Sequence, residues 1–124
     1  MPERRLILEM GTGNDLLGGD YTKAACRAVQ DALHHSVMPL FRTLGYDTQD
    51  MRVQVTIGVQ RPDLVDAEVV CAELPRGRPE VKVVFGGLDV RHPEQDMLHV
   101  VATAAIEAWL PIEADAWRLV PTQT

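Results

Sequence analysis

Four glycines crowd into positions 11–20, GTGNDLLGGD. Glycine weakens the interior of helices and strands alike, so the segment reads as a loop and not as a regular element. An apolar run precedes it, RLILEM from Arg5 to Met10, which reads as a first strand. After it, from Thr22 to about Met38, Ala25, Ala28, Val29, Ala32, Leu33 and Val37 recur at helical spacing. Asp20 or Thr22 caps this helix, and Pro39 ends or kinks it. A glycine-rich turn at a helix N-terminus presents backbone N–H groups to an anion or a polar ligand. It is not a nucleotide fingerprint. No Gly-Lys-Ser/Thr follows, and no third glycine completes GxGxxG after Gly11 and Gly13. Asn14, Asp15 and Asp20 also make the loop partly acidic.

Further along, MRVQVTIGVQ at 51–60 alternates, with Val53, Val55 and Ile57 on one face and Arg52, Gln54 and Thr56 on the other. That is a half-buried strand. Val65 to Leu74 reads as a short helix between the Arg61-Pro62-Asp63 break and Pro75. Glu80 to Phe85 reads as a third strand, stopped by Gly86 and Gly87. A last helix is expected from Pro93 to Leu110, with Met97, Val101, Ala104, Ala105 and Ala108 as its apolar stripe. The expected fold is α+β: a β-α-β-(α)-β-α unit with helices on one face of a small sheet. It forms a single domain over 1–110, followed by a tail over 111–124. Three strands leave much apolar surface uncovered and an edge exposed, so a homo-oligomer is expected. The alternative is a monomer whose tail, with its AWRLV stretch, adds a fourth strand.

Charge narrows the function. Lys and Arg total 12 against 18 Asp and Glu, a net charge of -6, which argues against binding nucleic acid phosphate. No apolar run approaches the roughly 20 residues that span a bilayer, and MPERRLILEM is not a secretory signal. Cys26 and Cys71 stand alone, and His34, His35, His92 and His99 form no HxH or HExxH pattern. No metal or cofactor is expected, and a reducing cytoplasmic location is. Ser36 is the one serine and no GxSxG occurs, so covalent serine catalysis is not expected. General acid–base chemistry remains, with Asp20, Lys23 and His92 as the candidate catalytic residues and Asp15 and Glu9 behind them. Polar strand ends supply candidate ligand contacts: Gly11, Thr12, Gly13 and Asn14, then Arg61, then Gly86, Gly87 and Arg91. A small-molecule enzyme or binding protein is expected; the alternative is a non-catalytic scaffold or partner-binding subunit.

The segments EMGTGNDLLGGDYTKAACRAVQDAL, VTIGVQRPDLVDAEVV and AELPRG, with the Gly-Gly pair after a strand, resemble a small family of bacterial and fungal conserved hypothetical proteins. The resemblance covers residues 5 to about 105 and brings no assigned activity. The chain departs from the family pattern at Leu16 and Leu17, where a His-containing polar loop is expected. More distantly, Gly11-Thr12-Gly13-Asn14 followed by Asp20-Tyr21-Thr22-Lys23 and an alanine-rich helix resembles one repeat of the ring-opening cyclic amide hydrolases, cyanuric acid hydrolase and barbiturase. Those enzymes arrange three similar units about a pseudo-threefold axis. The resemblance places their catalytic lysine at Met10 and their catalytic serine near Ile57, so it implies the architecture without that chemistry. It also implies a homotrimer, with a ligand site between subunits lined by residues 11–23, Thr56 to Arg61 and Gly86 to His92.

Overall fold

A computed structural model describes residues 3–34 and 48–111. Ser36, His35, Pro39 and the AWRLV tail lie outside the described residues. The elements are β1 (Glu3–Asp15), α1 (Tyr21–His34), β2 (Arg52–Val59), α2 (Ala67–Cys71), β3 (Arg78–Phe85), β4 (Leu88–Arg91) and β5 (Leu98–Pro111). The sheet runs β1-β5-β2-β3, with β4 also paired to β5. Strand β5 is its spine. It pairs antiparallel with β1 along one side. Along the other it pairs first with β2, from Arg52↔Trp109 to Gly58↔Thr103, and then with β4, from Leu88↔Val101 to Arg91↔Leu98. Strands β2 and β3 are parallel, and α2 sits in the crossover that parallel strands require. Asp66 starts α2 by accepting hydrogen bonds from the N–H groups of Glu68 and Val69.

Both helices lie on one face of the sheet and share one core with it, as the sequence implies. The layers differ from expectation in two places. Gly11 to Asp15 is strand, not loop. Its glycines are there because α1 lies almost flush on β1. A Cβ added to Gly11 would come within 2.5 Å of Ala28 O and Ala32 N, and one on Gly13 would run into Ala28 N and Ala24 O. Strand geometry tolerates glycine here because nothing larger fits beneath the helix.

The second correction is larger. Residues 93–110 do not form a helix: Leu98–Pro111 is the longest strand, and Leu88–Arg91 is a strand where a loop was expected. Val100, Ala102, Ala104, Ile106, Ala108 and Leu110 are all buried, a strict alternation. The alanines suggested a helix because alanine is the best helix former. Here Ala102, Ala104 and Ala108 are small because α1 packs on this strand, its own contact face being Ala24, Ala25, Ala28 and Ala32. Among the described residues the sheet therefore has five strands, not three.

Gly13→Ala forces a methyl into the backbone of α1 and should cost about 1–3 kcal/mol or more. Thr12→Ala, at an exposed neighbour, should stay within about 0.5 kcal/mol. Urea midpoints of the two variants check this; equal midpoints would contradict the close packing of α1 on β1.

Candidate functional site

The turn from β1 into α1 is organised by Asp15, whose residue is 5% exposed. Its Oδ2 accepts the Asp20 N–H at 2.8 Å, and Arg27 Nη1 lies 3.8 Å from its Oδ1. The Asp20 N–H does most to hold the Asp15 carboxyl below the ordinary carboxylate value. Lys23, Arg27 and the Gly18 N–H add to it, against the opposing effect of burial. Arg27 also donates to Asn14 O at 2.6 Å. Asp20 in turn closes the start of α1: its Oδ1 accepts the Lys23 N–H at 3.1 Å and its carbonyl accepts the Ala24 N–H at 3.1 Å. The anion expected at this helix N-terminus is thus supplied by the chain itself.

A cleft of about 560 Å³ opens between this turn and α1. Asp15, Asp20, Lys23 and Arg27 supply its charges; Leu16 and Leu17 supply an apolar wall. Those two leucines are 52% and 77% exposed, so their side chains are available to a ligand. Of the sequence candidates, Asn14, Asp20 and Lys23 line this cleft. Gly11 and Gly13 do not; they pack beneath α1, and the Thr12 N–H is taken by Asp31 Oδ2 at 2.9 Å. A second cleft of about 360 Å³ continues along α1 past Cys26 and Glu73, sharing Lys23 and Arg27. Burial, and then the Glu73 carboxylate, pushes the Cys26 thiol up, so it is protonated and a poor nucleophile.

Arg61, Gly86 and Gly87 lie at the ends of β2 and β3, and Arg91 ends β4. Gln60 Nε2 bridges the carbonyls of Gly86 and Gly87 at 2.9 and 3.2 Å. Gly87 has φ +63°, and a side chain there would meet the carbonyls of Val101 and Gly58. Arg61 and Arg91 are exposed and pair with Asp63 at 3.2 Å and Asp96 at 3.4 Å. Between them and the core lies a pair absent from the sequence-based candidates: the Tyr21 hydroxyl donates to Asp89 Oδ2. Asp89 Oδ1 is buried with no hydrogen-bond partner among the described residues. Burial first, and then Asp89, raises the Tyr21 pKa, keeping the phenol protonated at neutral pH. The missed signal is the alternation in LDVR, which turns Asp89 toward the helix layer beside buried Val100.

His92 lies outside the cleft. Its Nδ1 accepts the N–H groups of Glu94 and Gln95, both at 3.0 Å, so the neutral ring carries its proton on Nε2. His99 is the opposite tautomer, since its Nδ1 faces the Leu16 carbonyl at 2.6 Å and a carbonyl only accepts. The two rings are 6.2 Å apart. Among the described residues no three His, Cys, Asp or Glu side chains gather as a metal site would require.

Asp15→Ala leaves the Asp20 N–H without its partner and should cost about 1–3 kcal/mol. Because the folded pKa lies below the unfolded one, Asp15 contributes stability above the ordinary value of 3.8, and that contribution fades as pH falls through the folded pKa. Denaturation from pH 7 down to pH 2 should therefore show a shallower acid loss in Asp15→Ala than in the parent chain; parallel curves would contradict this role.

The sequence pattern described as "Conserved hypothetical protein (Lin0512_fam)" matches residues 5–108. The chain is also similar to the crystal structure of an FtsZ-like protein of unknown function from Nostoc punctiforme. The two are 34% identical, the match covers 89% of this chain and 98% of that one, and the TM-score is 0.78. No curated protein matches.

Proposed function

The chain belongs to the Lin0512_fam family of conserved hypothetical proteins, and on that footing we propose that it is a small-molecule enzyme or binding protein with sites where copies of the chain meet. Its ligand is a small polar or anionic compound, cyclic compounds included. The observation that carries this reading is the second face of the sheet. By register, Leu8, Met10 and Thr12 of β1 share that face with Thr103, Ala105 and Glu107 of β5. Met10 is 64% exposed and Leu88 56% exposed, a large apolar content for a surface meant to meet water. Arg5 pairs with Glu107 at 3.2 Å toward one end, and across the sheet the same face carries Gln54 and Thr56 of β2 and Glu80 and Lys82 of β3. The other end adjoins the Leu16 carbonyl and His99, beside the cleft. Copies packed on this face would bring that cleft to a seam.

The trimer rests on the resemblance to one repeat of the ring-opening cyclic amide hydrolases. Their lysine and serine chemistry is not part of the proposal, because Met10 stands at the first position and fully buried Ile57 at the second. Catalysis in this reading is proton transfer by Asp20 and Lys23 in the cleft, with His92 on the β4–β5 connection. Arg61 and Arg91 would hold a ligand from the ends of β2 and β4. A cytoplasmic location suits the free thiols of Cys26 and Cys71. Among the described residues no helix is long and apolar enough to cross a membrane. A second reading, a non-catalytic oligomeric scaffold, is favoured by one observation: Asp20 and the His92 Nδ1 are already engaged by backbone N–H groups.

Light scattering should give a particle of about three 13.8 kDa chains, and Met10→Lys should shift it toward the single chain. A single-chain mass for the parent would overturn the interfacial reading. Metabolite turnover by the pure trimer would exclude the scaffold.

A further inference from the structure

The charges of the cleft are unequally engaged. Asp15 is held by the Asp20 N–H and by Arg27. Arg27 divides its guanidinium between Asp15 and Asn14 O. Asp20 Oδ1 is committed to the Lys23 N–H. Among the described residues, the Lys23 ammonium is the one side-chain charge lining this cleft for which no direct hydrogen bond or ion pair is found, its charge acting on Asp15 only at longer range. It stands on an exposed position of α1 and lines the same cleft as Leu16 and Leu17.

Two carboxylates and two cations line the cleft, so its formal charge is zero. A phosphate dianion entering it would gain one ammonium without a direct partner and face both carboxylates. A monoanion avoids most of that repulsion, and an ammonium is a compact point charge suited to one carboxylate. The exposed leucines set the rest of the ligand. A fully polar compound would leave them in water, whereas a short aliphatic or aromatic body would bury them.

Building on the small-molecule reading above, we propose that this cleft takes an amphipathic monocarboxylate, its carboxylate on Lys23 Nζ and its apolar body against Leu16 and Leu17. The inference concerns ligand class alone and requires no catalytic step.

The test is a titration of the intact protein with butyrate, n-butanol and inorganic phosphate, followed by amide shifts of residues 14–23 in two-dimensional NMR. Butyrate should saturate these shifts, with n-butanol and phosphate each about tenfold weaker or more. Lys23→Gln should weaken butyrate about tenfold while leaving n-butanol unchanged, and Lys23→Arg should restore most of the difference. Leu17→Ser should weaken butyrate and n-butanol together. Both side chains are exposed, so the variants should keep the parent melting temperature, and a parental NMR spectrum outside the cleft verifies the fold. Phosphate binding more tightly than butyrate, or butyrate binding unaltered by Lys23→Gln, would overturn the inference. If phosphate or a cyclic imide such as succinimide saturates the cleft and butyrate does not, this inference fails while the small-molecule reading stands. Silence from every probe at the assembled protein's cleft would count against both.

Discussion

The fold depends on how closely one helix can approach one strand. Gly11 and Gly13 leave β1 without a side chain at the two positions where α1 lies closest, and Ala24, Ala28 and Ala32 on the helix do nearly the same from above. The contact extends to β5 through Ala102, Ala104 and Ala108. Large core side chains are few, so this layer owes its cohesion to dense packing of small groups more than to the apolar area of any single residue. The same two-residue alternation has a second consequence. Each glycine turned toward α1 leaves its neighbour turned away, which puts Leu8, Met10 and Thr12 on the uncovered face. Close packing on one side and an unshielded surface on the other are one feature of one strand.

That strand also aims the cleft. Where β1 ends, Asp15 turns inward and gathers the Asp20 and Gly18 N–H groups. Asp20 then begins α1, which carries Lys23 and Arg27 alongside the turn. A buried carboxylate costs stability unless hydrogen bonds and cations meet it, and both do so here. Most of the polar groups at this corner hold the backbone in place, leaving Lys23 and the two leucines facing outward.

Much of this was legible in the sequence. The strict alternation of Val53, Val55 and Ile57 identifies β2, and the alanine periodicity identifies α1. The helices on one face and the polar corner around Asn14, Asp20 and Lys23 were also within reach. What failed did so for a common reason. By intrinsic preference the glycines of β1 point to a loop and the alanines of β5 to a helix, yet both report the size limit imposed by α1 lying on them. Tertiary packing overrode local propensity at both places. The Tyr21–Asp89 contact spans 68 positions and could be seen only once β4 was known to be a strand. Likewise, the roles of Gly11 and Gly13 as packing residues follow from the helix position and not from their motif.

An uncovered face with exposed apolar residues at Leu8, Met10 and Leu88, on a chain of 13.8 kDa, is the premise for sites between copies. Met10 reports on it most directly, being 64% exposed in the single chain and lying on that face in the edge strand β1. Its oxidation by dilute hydrogen peroxide can be followed by mass spectrometry of the peptide that contains it. If copies cover the sheet, Met10 should be protected at micromolar protein and become reactive on dilution. Oxidation at the rate of a free methionine peptide, independent of protein concentration, would show that the face meets water and would contradict the account.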